Sequence, residues 1–364
     1  MRIAIVGPTF PYKGGGAHHT TELAHRLAGA GHSVDLDSWK AQYPAFLYPG
    51  QLTISAPEGE PFPRTRWDLS WRRPDGWLRA GRRFRSYDLV VLTVLTSVQV
   101  PAYLGILAGL RGERRPRVVA LCHNVLPHER KSYDMPLMRA LLRRVDGVLV
   151  HSEEQAAVAR SLVSGTPVRL AQLPPHLPAR GTPADPVDEP FHRLLFFGVV
   201  RPYKGLDVLL RALAAGPPEV SLTVAGEFWG GLEETRRLVD ELGLTGRVEL
   251  RPGYVPGAEV PDLFAKVDAL VLPYRAATAS QNVWMAYEHG VPVVATRAGA
   301  LADHVRDGVD GLLCEPGDVG SLADALRRLY AGGEPARLRG GVRPVQADPY
   351  WADYVDRLLE FART

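Results

Sequence analysis

Cysteine is nearly absent. Cys122 and Cys314 are the two in 364 residues, they lie in different halves behind apolar runs, and they offer neither a disulfide framework nor a zinc spacing. A reducing cytosol is the expected setting. Long apolar runs are missing as well: the best stretch, Leu89 through Leu104, is broken by Pro101 and by polar residues, short of the roughly 18 apolar residues that a spanning helix needs. Met1-Arg-Ile-Ala-Ile-Val-Gly7 runs straight into Pro8 and a glycine cluster, which reads as a first strand and not as an export signal. No repeat of about 20 to 50 residues appears, so a solenoid is excluded. Neither a Gly-Lys-Ser/Thr loop nor a Gly-x-Gly-x-x-Gly register is present, which disfavours a P-loop NTPase and a dinucleotide oxidoreductase.

What is present is ordinary in bulk: 46% hydrophobic and 23% charged residues, a folded chain long enough for two domains. The net charge of +3 hides an asymmetry. Residues 1–185 hold 24 Lys/Arg against 15 Asp/Glu, and the remainder 19 against 25, so the halves carry +9 and −6. The first half is suited to an anionic partner and the second is not.

Short aliphatic runs predict strands at 2–6, 33–36, 88–94, 117–122 and 147–150, with helical spacing between most of them. This alternation implies βαβ units and a parallel sheet. It stops at Pro174 to Pro190, where six prolines mark a linker, and restarts with predicted strands at 193–197, 221–225, 247–250, 269–272 and 292–295. Trp351, Tyr354, Val355, Leu358, Leu359 and Phe361 then repeat at helical spacing, predicting a last helix that packs back on the first domain. The domains are placed at 1–178, 179–345 and, for the returning helix, 346–364.

Four places carry chemistry. Pro11-Tyr-Lys-Gly-Gly-Gly-Ala-His-His-Thr20 follows the first strand and opens a helix, so its backbone can approach an anion. Asp35-Leu-Asp37 has the spacing of a metal-binding pair but ends an apparent strand, where acids are commonplace. His123 stands at a strand's carboxyl end, where open α/β sheets bind ligands. The strongest signal is Leu195-Phe-Phe-Gly-Val-Val-Arg-Pro-Tyr-Lys-Gly-Leu-Asp207. It puts Arg201 and Lys204 beside glycines after a buried strand, a place suited to a diphosphate that gains charge as a bond breaks.

These residues, with Val224-Ala-Gly-Glu-Phe-Trp229, Pro273-Tyr-Arg275 and Gly290-Val-Pro-Val-Val-Ala-Thr-Arg-Ala-Gly299, resemble glycosyltransferase family 4 over nearly the whole chain. The resemblance implies the α/β GT-B fold, two Rossmann-like domains facing across a cleft. It also implies a retaining, metal-independent hexosyl transfer from a nucleotide-diphosphate sugar to a hydroxyl acceptor, with no cofactor. On that likeness Arg201, Lys204 and His123 are the catalytic residues, the cations for the departing diphosphate and the histidine for the donor sugar. Donor-binding positions are Gly15, Gly16, Gly198, Gly226, Tyr254 and Val255. Ser280 is expected to cap a helix whose amides at Gln281, Asn282 and Val283 hold the β-phosphate. Gly14, His18, His19, Arg72 and Arg73 are read on the acceptor side.

One departure stands out. Counting back from Gly290, the family's Glu-x7-Glu pair falls on Ala277 and Met285, so neither carboxylate is present. Glu288 faces another direction, and Asp303 stands near the place of a further family acid. Eight arginines and three of the seven tryptophans crowd into residues 64–85. That composition suits a membrane interface or a phosphorylated acceptor, without a nucleic-acid signature. The expectation is a cytoplasmic, cell-envelope enzyme peripheral to the inner membrane face, with a lipid-linked or anionic acceptor. Two alternatives are a non-catalytic nucleotide-sugar-binding partner subunit and a GT-B sugar-nucleotide epimerase. The epimerase would need an acid-base cluster among His18, His19, His123, His128 and Glu129.

Overall fold

A computed structural model describes residues 1–44, 50–112, 115–127, 129–176, 190–277 and 280–363. His128, the predicted boundary at 178/179 and most of the proline-rich linker lie outside the described residues. The chain divides into two compact units, Met1–His176 with Gln346–Thr364, and Leu177–Val345.

In the first unit the strands are β1 (Arg2–Val6), β2 (Ser33–Ala41), β3 (Thr65–Ser70), β4 (Leu89–Val94), β5 (Arg117–Cys122), β6 (Gly147–Val150) and β7 (Val168–Leu170). They form one parallel sheet in the order β3-β2-β1-β4-β5-β6-β7. The crossovers carry α1 (Gly15–Gly29), α2 (Pro74–Phe84), α3 (Val100–Gly109), α4 (Asp134–Leu142) and α5 (Glu153–Leu162). Alternate residues of β1 go to opposite faces. Ala4 and Val6 join the core under α2 to α5, whereas Ile3 and Ile5 pack with Leu23 and Leu27 of α1. Both faces are therefore covered, which is why β4, Leu-Val-Val-Leu-Thr-Val, reads as an unbroken buried run.

The second unit repeats the plan with β8 (Arg193–Phe197), β9 (Ser221–Gly226), β10 (Val248–Pro252), β11 (Ala269–Leu272), β12 (Val293–Thr296) and β13 (Gly311–Cys314). All are parallel, in the order β10-β9-β8-β11-β12-β13. Its helices are α6 (Leu206–Ala214), α7 (Leu232–Glu241), α8 (Val260–Phe264), α9 (Gln281–Glu288), α10 (Leu301–His304), α11 (Val319–Leu329) and α12 (Glu334–Gly341). The last helix, α13 (Ala347–Arg363), belongs to the first unit, where Trp351, Tyr354, Leu358 and Phe361 join the α1 side of the core.

Each sheet reverses its winding once, between β1 and β4 and between β8 and β11. Such switch points open a crevice at the carboxyl ends of the strands, where ligands of doubly wound folds bind.

The arginine-rich stretch forms the edge strand β3 and then α2. The acidic pair is no metal pair in this arrangement, because its carboxylates are engaged by arginines. Asp35 accepts from Arg64 Nε (3.1 Å) and Nη2 (2.8 Å) and from the Tyr87 hydroxyl (2.7 Å), while Asp37 pairs with Arg83. Burial raises the Asp37 pKa to about 6 against the pull of Arg83.

Candidate functional site

In the second unit the switch point is built by close backbone contacts. Gly198 ends β8 and its amide donates to Ala225 O (2.9 Å); Gly253, after β10, donates to Gly226 O (3.0 Å). Gly226 has φ +150°, and a Cβ there would stand 1.9 Å from Gly198 O, so no side chain fits between these strand ends. Across the switch, a Cβ on Gly205 would stand 2.1 Å from Pro273 O, so the turn carrying Lys204 lies directly against the chain leaving β11. Arg275 locks that contact: it donates to both carboxylate oxygens of Asp207 (2.8 and 2.6 Å) and to Pro202 O (2.9 Å).

The expected residues meet on this frame. Gly198 lies among them, since a Cβ there would come within 3.4 Å of Asn282 Nδ2 and 3.7 Å of Lys204 Nζ. Asn282 Nδ2 donates to Phe197 O (2.8 Å), which fixes the start of α9 over the end of β8. Lys204 Nζ lies 5.0 Å from the Tyr274 ring centroid. Burial pushes its ammonium down, but Tyr274 and Tyr203 more than offset this, and its pKa lies above the ordinary lysine value. The Arg201 guanidinium lies 5.0 Å from the Trp229 ring centroid, and the loops carrying the two residues are joined by Val200 to Glu227 O (2.8 Å) and Trp229 to Val200 O (3.2 Å). Two cations are thus held at a glycine-floored switch point, an arrangement suited to a polyanion.

Ser280 caps α9, accepting from the Asn282 amide (3.3 Å). This amends the sequence expectation: of the three amides assigned to a phosphate, the one of Asn282 is already engaged by the cap. Tyr254 and Val255 follow Gly253 at the end of β10. Ala277 is buried, and a Cβ on Gly299 would stand 1.8 Å from its carbonyl oxygen. Glu288 does not replace the missing pair, because its Oε1 accepts from the Val345 amide (2.9 Å). Asp303 is an exposed acid on the four-residue α10.

In the first unit, Gly14 (φ +88°) precedes α1, and a Cβ on Gly14 or Gly15 would meet nothing within 4 Å. Gly16 differs: its Cβ would stand 2.7 Å from a Leu95 methyl, so it serves the packing of α1 at the β1/β4 switch. His18 and His19 point in different directions. His18 Nε2 donates to Glu58 (2.6 Å) and is half-exposed; His19 is fully buried, so its side chain is not presented to an acceptor. His19 instead packs against His123, with ring centroids 4.8 Å apart. Arg72 and Arg73 sit just before α2, Arg72 over the Trp71 ring (5.1 Å) and Arg73 paired with Asp75 through two bonds (3.0 and 2.9 Å).

Sequence reasoning missed the partners: Glu58, the Arg275–Asp207 pair, His151 and His176. His151 carried a readable signal, since it follows β6 as directly as His123 follows β5. Among the described residues, no group of three or more His, Cys, Asp or Glu is arranged to hold a metal ion.

Comparison with known proteins agrees with this geometry. Residues 13–174 match the family described as Glycosyltransferase Family 4, and residues 191–332 match Glycosyl transferases group 1. The chain belongs to glycosyltransferase family 4. The D-inositol 3-phosphate glycosyltransferase of Mycobacterium tuberculosis strain H37Rv is 32% identical to this family 4 chain, over 59% of the chain and 48% of the relative. The chain thus spans about half the length of the curated relatives it matches. Solved structures with the same fold include sucrose-phosphate synthase from Thermosynechococcus elongatus, with TM-score 0.69 and 21% identity over 100% of this chain and 96% of that one. Another is the Anabaena protein Alr3699/HepE in complex with UDP-glucose, with TM-score 0.68 and 18% identity over 100% and 98%. The fold is GT-B.

Proposed function

We propose that this family 4 chain is a retaining, metal-independent glycosyltransferase that moves a sugar from a nucleotide-diphosphate sugar to a hydroxyl acceptor. The observation that carries the reading is the pair Arg201 and Lys204 at the β8/β11 switch point, with Lys204 kept charged by its tyrosine neighbours. Cleavage of the sugar–oxygen bond leaves negative charge on the diphosphate, and two preorganised cations stabilise it most where that charge is greatest. They supply the compensation that a divalent cation supplies elsewhere. The leaving phosphate oxygen accepts the acceptor's proton on the same face, so no carboxylate nucleophile is needed. His123 hydrogen-bonds the donor sugar; its Nε2 is buried and has no hydrogen-bond partner among the described residues.

The acceptor is anionic or lipid-linked, and the enzyme works at an anionic membrane surface. The +9 charge of residues 1–185 supports this, as does the phosphorylated polyol in the name of the mycobacterial relative. A second reading, a partner subunit that binds the donor without turnover, is favoured by Ala277 and Met285 at the family's glutamate positions.

Calorimetric titration of UDP, GDP and ADP into the wild type and an Arg201→Ala/Lys204→Ala double variant tests the site. One nucleotide is expected to bind and to lose affinity about 100-fold or more in the variant, from two charge-assisted bonds of roughly 1.5–3 kcal/mol each. Absence of binding in the wild type would overturn the donor site. Binding without acceptor-dependent release of nucleotide diphosphate would select the second reading.

A further inference from the structure

Four histidines converge in the first unit, and the transfer reaction gives a role to His123 alone among them. His19 is the hub. Its ring centroid lies 4.8 Å from that of His123, 5.0 Å from His176 and 5.9 Å from His151. It also stacks on Trp351 of α13 at 5.3 Å. His123 and His151, which follow neighbouring strands, are 5.0 Å apart. A plain apolar core would fill this space without stranding polar atoms, yet Nε2 of His19, His123 and His151 each lack a hydrogen-bond partner among the described residues.

The hydrogen bonds that do exist fix the protons. A carbonyl only accepts, so the contact from His151 Nδ1 to Ala171 O (3.2 Å) requires the proton on Nδ1 and leaves Nε2 as an acceptor in the neutral ring. His19 Nδ1 and His176 Nε2 share one proton across 2.8 Å, so the tautomer of either ring dictates that of the other. Burial lowers the pKa of all four, which keeps the rings neutral and makes these tautomers persistent. His123 thus meets the edges or faces of two rings whose own orientations are set elsewhere, at interplanar angles of 90° to His19 and 61° to His151.

The cluster also sits where the chain leaves and re-enters the unit. His176 is the last described residue before the chain passes to the second unit, and Trp351 comes shortly after its return at Gln346. The Trp351 indole donates to Pro175 O (3.1 Å), tying the two passages together beside His19.

We propose that His19, His151 and His176 are positioning residues for His123, holding its ring in one orientation at the carboxyl end of β5 on a floor supplied by α13. The functional meaning rests on the reading of His123 as the donor-sugar contact, but the arrangement can be tested without any ligand. In full-length protein labelled with 15N-histidine, long-range 15N–1H spectra at neutral pH report each tautomer. The expected spectrum shows His151 protonated at Nδ1, and His19 and His176 in the same tautomer, both protonated at Nδ1 or both at Nε2. His176→Leu is expected to shift or broaden the His123 signals, and His176→Gln, whose amide can replace the lost nitrogen, to restore them. Unchanged His123 signals in His176→Leu, with only thermal stability lowered, would show a merely structural cluster and overturn the proposal. So would tautomer averaging at His151 in the wild type, a readout that needs no variant to fold. Failure of nucleotide binding leaves this test intact, and failure of this test leaves the transferase reading intact.

Discussion

A glycine at a strand end and a histidine in a core are single positions with large consequences here. Gly226→Ala would force a Cβ to within 1.9 Å of Gly198 O at a positive φ, so a loss of about 2–4 kcal/mol is expected in urea unfolding, with nucleotide affinity falling too. Acid acts through the histidines. Their folded pKa values lie below the unfolded value of 6.5, at about 4 for His151 and about 3 for His176. The unfolded chain therefore binds protons first as pH falls. Stability is fully present above about pH 6.5 and is lost below it, by up to about 1.4 kcal/mol per pH unit for each ring. Asp37 works the other way between its unfolded value of 3.8 and about 6, regaining stability on acidification, but it is one group against four. Denaturant midpoints measured from pH 7.5 to 4.5 should hold down to about pH 6.5 and fall steadily below it; a flat profile throughout would contradict the burial of the cluster. The cations Arg201 and Lys204 were legible as a pair because they lie on one short turn between Gly198 and Gly205 after a buried strand. Their partners were not, since nothing local ties Arg275 to Asp207 or His19 to His176, 157 positions apart.

Among the elements, the strands buried on both faces were legible, and so was the edge strand β10, read at 247–250; the edge strands β3, β7 and β13 were not. β4 and β5 read as apolar runs; β3, with exposed Arg66, Trp67 and Asp68, did not. β7 has three half-buried residues, too short for a period to appear, and β13 was missed although the four-residue β6, β11 and β12 were read. The helix α2 also serves the packing of its own unit. Its arginines and tryptophan suggested an interface, yet its small residues press on α3, where a Cβ on Gly81 would stand 2.1 Å from Ile106 O. Its apolar face is spent inside the unit, and Arg73, Arg79 and Arg83 are paired with acids. Binding to anionic vesicles should therefore rest on exposed Arg66, Arg72 and Arg82. Sedimentation with such vesicles at low salt is expected to be lost near 0.5 M salt, roughly where screening reaches a few ångströms, and in the triple alanine variant. Salt-resistant binding would point to apolar insertion instead.

At the scale of the whole molecule, two doubly wound units share one plan with opposite charge, and the plan was legible because strand and helix alternation restarted after the prolines. Arg201 and Lys204 stand at the switch point of the acidic unit, so the positive potential there is local, set by these two side chains against the net charge of their own unit. The order of the chain adds a consequence of its own. Because Gln346–Thr364 completes the unit that Met1 begins, the second unit is an insertion between two parts of the first. No continuous fragment of the chain contains the whole first unit. A ribosome delivers Trp351 and Tyr354 only after every strand of the inserted unit has been made, so the histidines at positions 19, 123, 151 and 176 wait through the synthesis of that whole unit before these neighbours arrive.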